Sequence, residues 1–217
     1  MISQLVALIK KDLLIEWRQW VSLAALILFL FGISYLIYFF SGNIHPHQWL
    51  LMYWIVFLFL GLFMSQGSFE SSGLHRKYYV SQLCSPELIF ASKVIYQTLS
   101  MMIFGNLLYW VFQMLLPQQQ MNYGLLMPVL FLCSLGFALS MSFCSFLAQY
   151  AQSAQILMLI LSIPIVFPVL GMSFAASVQI MEGKGYEAIR YSLMILIAIN
   201  CFAAALLSFV IPLSWKN

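Results

Sequence analysis

Two short glycine-containing patterns bring together residue types that could bind a nucleotide or attack a carbonyl group. Gly183-Lys184-Gly185 places a lysine between glycines, but it lacks the GxxxxGK(S/T) spacing with which a phosphate-binding loop surrounds a nucleotide. Gly171-Met172-Ser173-Phe174 lacks the second glycine of a GxSxG nucleophile elbow, and it has no acid or histidine beside it. We therefore expect no catalytic residue and no enzyme activity in this chain. Any use of ATP would belong to a partner.

The potential metal ligands are three histidines and four cysteines. His45 and His47 flank a proline in a short polar segment, where a histidine pair could ligate haem iron or a metal ion. Two histidines in such a segment are more often simply solvated, and the role of this pair stays open. The cysteines form no CxxC pair, so we expect free thiols, no disulfide framework and no bound metal; they are Cys84, Cys133, Cys144 and Cys201.

The composition indicates a membrane protein and excludes a soluble domain. Hydrophobic residues make up 64% of the 217 positions and charged residues 7%, whereas about a quarter of a soluble domain is charged. The mean hydropathy is +0.98. The net charge of +3 is small and gives no indication of nucleic-acid binding.

Six apolar stretches are long enough to cross the roughly 30 Å of hydrocarbon in a bilayer, which takes about 20 helical residues. They are predicted at 20–40, 49–66, 94–116, 125–147, 154–177 and 191–212. None contains Lys, Arg, Asp or Glu, whereas chains that move protons or ions usually retain one or two, although a central charge costs about 2.5–3.5 kcal/mol. The sequence predicts an all-α, polytopic membrane protein with six transmembrane helices, forming one domain over 1–217, and argues against ion-coupled transport.

The basic residues are divided unevenly between the two sides of the six spans. Seven lie on the side of both termini and two lie on the other side. Because lysine and arginine concentrate in cytoplasmic segments, we expect both termini in the cytoplasm. The first group is Lys10, Lys11, Arg18, Arg76, Lys77, Lys93 and Lys216, and the second group is Lys184 and Arg190.

Residues 1–19 have a helical periodicity of their own before the first span. The apolar positions are Ile2, Leu5, Val6, Ile9, Leu13, Trp17 and Trp20, and polar residues occupy other parts of the helical wheel. This pattern predicts an amphipathic helix in the cytoplasmic interface of the lipid bilayer. The alternative is that these residues are only the charged start of the first span.

Residues 67–93 form the only substantial polar stretch between spans. Within it, Ser85-Pro86-Glu87 is a helix-start signal, because serine caps a helix, proline suits its first turn and glutamate faces its positive end. The charged and aromatic residues of the stretch predict a docking surface for a soluble partner. The candidate contacts are Glu70, Arg76, Lys77 and Glu87. A solvated connector that only fixes the topology is the alternative.

One face of the fourth span carries a small residue at every fourth position. These residues are Gly136, Ser140, Cys144 and Ala148. Helices in lipid associate largely through close backbone contact at small residues. The pattern therefore predicts a helix-packing face, either within the bundle or at a dimer seam.

The spans also contain prolines and uncharged polar residues. Pro164 and Pro168 are four residues apart in the fifth span and are expected to kink or break that helix. Asn106, Gln113 and Asn200 are expected to bond neighbouring helices rather than a ligand.

The order of these parts resembles that of the permease subunits of ABC exporters, with an interfacial helix, two spans, a long cytoplasmic segment and four more spans. More closely, the chain resembles the haem exporter protein B (CcmB) family over nearly its whole length. The residues that carry this resemblance are Gln66–Glu70, Gly73, Tyr78–Pro86, Ala91–Tyr96 and Leu161–Leu170. The chain departs from many relatives in having a single proline, Pro86, before the lysine.

The resemblance implies a permease subunit of the cytochrome c maturation ABC transporter, in the bacterial cytoplasmic (inner) membrane. It would couple ATP hydrolysis by a separate subunit to haem export or to release of a haem-loaded chaperone. Residues 67–93 would include the coupling helix that enters a groove of the ABC ATPase subunit. Further partners would be a haem-handling membrane subunit, a small membrane subunit and a second copy in a homodimer. Haem would be cargo, and this chain would hold no cofactor.

Two other functions stay open from the sequence. The first is an ABC permease for another cargo, such as a polysaccharide or a drug. The second is a membrane assembly scaffold that transports nothing, whose function would survive the loss of ATP hydrolysis in the complex.

Overall fold

The computed structural model of the chain describes residues 2–18, 20–42, 45–70, 86–116, 121–148 and 154–214. Throughout this part of the chain the backbone forms helices and no strand. The helices are α1 (Ile2–Arg18), α2 (Trp20–Ser41), α3 (Pro46–Glu70), α4 (Pro86–Leu115), α5 (Tyr123–Ala148), α6 (Ala154–Met181) and α7 (Tyr186–Ser214). The all-α prediction is confirmed.

Helices α2 to α7 are each long and apolar enough to cross a membrane, which confirms the six predicted spans. Their apolar segments are Leu23–Phe40, Pro46–Ser65, Leu88–Leu115, Tyr123–Ser145, Ile156–Met181 and Tyr186–Phe209. Successive spans run in opposite directions. We call the side that holds the ends of α3 and α5 and the starts of α4 and α6 the terminal side, and the other the opposite side.

Helix α4 begins at Pro86, eight residues before the predicted start of its span. The charge-free part, from Val94 to Leu115, is 22 residues long, or roughly 33 Å at 1.5 Å per residue, which matches the hydrocarbon thickness. Lys93 therefore lies at the boundary of the bilayer. The first two turns of α4 extend beyond that boundary on the terminal side.

The predicted N-terminal helix is present as α1, and it packs against α4 and α2. Leu8 is buried in this contact, whereas Val6 is 56% exposed and Leu14 is also exposed. Lys11 forms an ion pair with Asp12 at 3.2 Å. The helix thus has one apolar face on the bundle, a second apolar face available to lipid, and charged residues between them.

Helix α5 is the centre of the bundle. It packs against α4, α6 and α7, and α3 closes the bundle by packing against α4 and α6. Helix α2 lies at the edge, where it contacts α3 and α4 and exposes a large part of its apolar surface, including Phe31, Leu36 and Phe40. Because lipid tails are as apolar as these side chains, such exposure costs nothing within a bilayer.

Helix α6 continues through Pro164 and Pro168 without a break and ends at Met181. Its end is closed by Gly183, whose φ of 71° is in the left-handed region. The Gly183 N–H donates to the carbonyl of Ile180, and the Lys184 N–H donates to that of Gln179, both at 3.1 Å. These two bonds form a Schellman motif, which satisfies carbonyls that the helix itself cannot.

Three helices meet closely at Gly136 of α5. The Asn200 amide of α7 donates to the carbonyl of Leu132 at 2.9 Å. A Cβ atom at Gly136 would collide with Asn200 Oδ1 and would lie 2.9 Å from Val169 Cγ1 of α6. Only glycine leaves room for both neighbours at this point.

Gly136→Ala is expected to lower the free energy of unfolding by about 1–3 kcal/mol, because the new methyl group forces α6 and α7 away from α5. Unfolding in mixed micelles of a mild detergent and a denaturing one measures the change. Gly32→Ala is the matched control, since a Cβ at Gly32 meets nothing within 4 Å, and it should leave the stability unchanged or slightly higher. Equal stability of the two variants would contradict the close packing at Gly136.

Candidate functional site

Two of the four predicted docking residues lie at helix ends on the terminal side of the bundle. Glu70 is the last residue of α3, and Glu87 is the second residue of α4. Arg76 and Lys77 lie outside the described residues. The structure thus places the two ends of the predicted docking segment on adjacent, directly packed helices. The docking role of the four residues stays a prediction.

Helices α3 and α4, which lead into and out of this segment, are joined by side-chain hydrogen bonds at three levels. Near the terminal side, the Gln97 amide donates to Ser65 Oγ at 2.8 Å, and Ser65 Oγ in turn donates to the carbonyl of Gly61. In the middle, the Tyr53 hydroxyl donates to the carbonyl of Gly105 at 3.2 Å. These side chains are buried.

At the opposite side, the Trp49 indole N–H donates to the carbonyl of Leu116 at 3.1 Å. Leu116 directly follows α4, so its carbonyl belongs to a helix end that lacks intrahelical partners. The indole therefore caps α4 from the first turn of α3. Together with the two other bonds, this contact fixes the axial register of α3 and α4.

A buried group of aromatic rings fills the space between these bonds. Trp49 and Tyr53 are stacked with ring centroids 5.9 Å apart, and Phe112 meets Trp49 edge-on at 5.7 Å. Tyr53 also meets Trp54 at 5.3 Å. Large rings in such geometry resist sliding, because any shift of one ring must displace the others.

Helix α3 is also bonded to α6. The Trp54 indole N–H donates to Ser177 Oγ at 3.2 Å, and the Ser177 hydroxyl donates to the carbonyl of Ser173 at 2.8 Å. Both side chains are buried. The α3–α4 pair is thereby connected to the α5–α6–α7 group within the membrane.

The predicted packing face of α5 lies inside the bundle. Gly136, Ser140, Cys144 and Ala148 are all buried within the single chain. Gly136 is the point of contact with α6 and α7, and the Ser140 hydroxyl donates to the Gly136 carbonyl at 2.7 Å. Contacts within one chain therefore account for these small residues, and no dimer seam is needed to explain them.

Two polar residues of the third and sixth spans, Asn106 and Asn200, connect neighbouring helices. The Tyr123 hydroxyl of α5 donates to Asn106 Oδ1 of α4 at 2.6 Å, and Asn200 bonds α7 to α5. The Gln113 amide lies 3.4 Å from the Tyr109 hydroxyl of its own helix.

His45 has a structural role at the start of α3. Its carbonyl accepts the N–H groups of Gln48 and Trp49 at 2.9 and 3.1 Å. Its own N–H donates to Gln48 Oε1 at 3.2 Å. The Gln48 side chain thus supplies one half of a capping box, the bond from N3 back to the N-cap N–H, and Pro46 occupies the first helical position. The proline followed two residues later by glutamine was the signal in the sequence that could have predicted it.

A small charged group lies on the opposite side of the bundle, where α3 begins and α6 ends. Lys184 Nζ lies 2.6 Å from Glu182 Oε2. The hydrogen bond and charge of Lys184 lower the pKa of Glu182 below its ordinary 4.5, and His47 contributes further in the same direction. The charged group of Glu182 and Lys184 thus shares the opposite side of the bundle with His47.

The described part of the chain was compared with the ligand sets that metal ions require. It contains no group of three or more histidine, cysteine or acidic side chains that could hold an ion. Cys133 and Cys144 are buried free thiols, and Cys201 is an exposed one. Cys84 lies outside the described residues.

The fold defines the class of the protein as a multi-pass helical membrane protein with a polar segment flanked by two firmly joined spans. The profile of the family described as CcmB protein matches residues 3–217. The chain belongs to the CcmB family. Membership indicates a permease of the haem exporter ABC system in cytochrome c maturation, with an ATPase partner. No curated protein and no solved structure matches the chain.

The bond between Gln97 and Ser65 is expected to stabilise the α3–α4 pair. In a double-mutant cycle of Gln97→Met and Ser65→Ala, the coupling energy should be about 0.6 kcal/mol and at most about 1.7 kcal/mol, the range measured for bonds between membrane helices. In the control cycle, Thr98→Val is combined with Ser65→Ala. The Thr98 hydroxyl donates within its own helix, to Val94, and should show no coupling with Ser65. Equal coupling for both partners would contradict a bond between α3 and α4.

Lys184→Gln is expected to raise the pKa of Glu182 toward its ordinary value, because it removes the ion pair. In the unchanged protein the pair contributes stability above the unfolded pKa, and the contribution is lost as the pH falls through the lower folded pKa. NMR titration of the carboxyl group measures the shift. Arg190→Gln is the control, because it removes another positive charge on the same side, and it should leave the titration of Glu182 nearly unchanged. An equal shift in both variants would show that the overall positive charge of this side, and not the ion pair, lowers the pKa of Glu182.

Proposed function

We propose that this chain is the permease subunit that couples ATP hydrolysis by a separate ABC subunit to haem handling in cytochrome c maturation. The coupled event is either haem export or release of a haem-loaded chaperone. The family match over residues 3–217 is the observation that carries the proposal. The joined α3–α4 pair on either side of residues 71–85 supports it.

In the proposed mechanism, residues 67–93 include the segment that docks on the ATPase in the cytoplasm. Movement of the ATPase on ATP binding is passed to the ends of α3 and α4. Since Ser65–Gln97, Tyr53–Gly105 and Trp49–Leu116 join these two helices from one side of the bilayer to the other, they move together. The contact of Trp54 with Ser177 passes the movement to α6.

The proposed setting is the bacterial inner membrane, with both termini in the cytoplasm. The seven basic residues on the terminal side support this orientation. The proposed partners are the ATPase subunit, a haem-handling membrane subunit and a small membrane subunit, with a second copy of the chain in the complex. The chain itself would hold no cofactor and perform no chemical step, and haem would be its cargo.

The test is purification of the full complex from its native membrane in a mild detergent, together with deletion of the chain. We expect an ATPase subunit and a haem-binding membrane protein to co-purify, and c-type cytochromes to be lost on deletion. Altered drug resistance or an altered surface polymer, with normal c-type cytochromes, would indicate an ABC permease for a cargo other than haem. Normal cytochrome c maturation with a partner that cannot hydrolyse ATP would indicate that the chain is an assembly scaffold and not a permease.

Arg76→Glu combined with Lys77→Glu is expected to reduce the co-purified ATPase at least tenfold, because it reverses two charges within the proposed docking segment. Quantitative mass spectrometry of the purified complex measures the ratio of the two chains. Lys184→Glu combined with Arg190→Glu is the matched control, with the same charge reversal on the opposite side. Retention of the ATPase by the first variant would remove these two residues from the docking site.

A further inference from the structure

The exposed aromatic rings of the bundle are divided by type along the spans. Among the described residues, the exposed tryptophan and tyrosine side chains all lie within two turns of the opposite-side ends of α2, α4 and α7. They are Tyr35, Tyr38, Trp110, Tyr186 and Tyr191. The exposed rings in the middle of the described spans are phenylalanines, as at Phe59, Phe131 and Phe202. Because tyrosine and tryptophan have a polar end and phenylalanine has none, this division indicates a change of surroundings along the membrane normal.

Two contacts place Trp110 and Tyr191 at one height in the bundle. The Asn200 amide of α7 bonds the carbonyl of Leu132 of α5. Because α5 and α7 run in the same direction, the residues nine positions earlier, Tyr191 and Tyr123, also share a height. The ring centroid of Tyr123 is 5.9 Å from that of Trp110 on α4. Trp110 and Tyr191 therefore lie at the same height on two different helices.

Tyr38 of α2 lies at the same height, as its relation to α3 shows. The rings of Phe29 and Phe63 pack with centroids 4.9 Å apart, and α2 and α3 run in opposite directions. Nine residues further toward the opposite side α2 arrives at Tyr38, and after ten residues α3 arrives at Tyr53. The Tyr53 ring centroid is 6.5 Å from that of Tyr109, which directly precedes the exposed tryptophan of α4. We call this set the aromatic girdle, and its members are Tyr38, Trp110 and Tyr191.

The polar ends of the aromatic girdle have no partner among the described residues. No hydrogen bond within that part of the chain involves the hydroxyls of Tyr38 and Tyr191 or the indole N–H of Trp110. Two buried indoles of α3 differ, since Trp49 donates to α4 and Trp54 donates to α6. Each of three helices therefore presents an exposed hydrogen-bond donor at one height.

The aromatic girdle lies at one boundary of the charge-free layer of the bundle. On α4, Trp110 is 17 residues from Lys93, or roughly 26 Å, which is close to the roughly 30 Å of hydrocarbon in a bilayer. On α7, the exposed Arg190 directly precedes Tyr191, and a charge at this height requires polar surroundings. Lys93 and the aromatic girdle therefore mark the two boundaries of the same apolar layer.

The members of the aromatic girdle lie at different edges of the bundle. Helix α2 packs against α1, α3 and α4, whereas α7 packs against α4, α5 and α6. A protein partner would cover one edge, whereas lipid contacts every edge. We infer that the aromatic girdle lies among the headgroups of glycerophospholipids in the leaflet on the opposite side, and that its hydroxyl and indole N–H groups donate to their ester carbonyl and phosphate oxygens.

The first experiment measures the depth of the aromatic girdle in the full-length chain, in vesicles of dioleoylphosphatidylglycerol and dioleoylphosphatidylethanolamine. Trp110 and Tyr191 are replaced, one at a time, by 4-trifluoromethylphenylalanine, and a water-soluble nickel chelate on both sides of the membrane broadens the fluorine NMR signal. Phe202→4-trifluoromethylphenylalanine is the matched control. The chelate should broaden both girdle signals to within twofold of each other and at least fivefold more than the control signal. Broadening as weak as that of the control, or a larger difference between Trp110 and Tyr191, would overturn the inference.

The second experiment identifies the neighbours of the aromatic girdle in the native membrane. Tyr38→p-benzoylphenylalanine and Tyr191→p-benzoylphenylalanine are each expected to form a photo-adduct with a phospholipid, joined at its glycerol or headgroup. Phe59→p-benzoylphenylalanine is the control in the middle of a span, where the adduct should be joined at an acyl chain. Adducts with protein alone at either girdle position, or adducts joined at the acyl chains as in the control, would overturn the inference. None of these outcomes alters the test of the proposed function, which rests on the ATPase and the cytochromes.

Discussion

Hydrocarbon supplies no water to satisfy polar groups, and this single constraint explains how the polar side chains of the bundle are placed. Several buried serines donate to carbonyls of their own helices, as Ser34 and Ser140 do, although the buried Ser134 hydroxyl has no such partner. Longer polar side chains instead reach a neighbouring helix, as Trp49, Tyr53 and Asn200 do. Each such bond is made where the helices already pack closely, so that polar satisfaction and packing select the same arrangement of α3 to α7.

The bundle combines two kinds of helix contact with different mechanical properties. Between α5, α6 and α7, contact depends on small residues, and at Gly136 the backbone itself meets Asn200 and Val169. Between α3 and α4, contact depends on large rings and on bonds from side chains to the partner helix. The first kind is intolerant of added volume, and the second is intolerant of a change in register. In the central part of the bundle, which carries no charged side chain, these two kinds of contact hold the helices together.

The number and approximate positions of the spans could be predicted from the sequence, because crossing the hydrocarbon requires a minimum length of apolar helix. The starts of α3 and α4 also have local signals, in Pro46 with Gln48 and in Ser85-Pro86-Glu87. Which helices touch could not be predicted, because six spans of similar hydropathy can be arranged in many ways. Trp54 and Ser177 are 123 positions apart, and no local pattern pairs them. The packing face of α5 was visible as spacing, but its partner Asn200 was not. The predicted docking residues Arg76 and Lys77 lie outside the described residues.

The position of Lys93 limits the directions in which α4 can move. Its charge lies where the helix enters the hydrocarbon, and drawing it inward by more than the reach of its flexible side chain would cost up to about 2.5–3.5 kcal/mol. Displacement the other way would pull the apolar end of α4 out of the hydrocarbon, together with α3, which Trp49 joins to Leu116. Lys93 thus acts as an axial stop. Sliding of the joined α3–α4 pair along the membrane normal is therefore opposed in both directions.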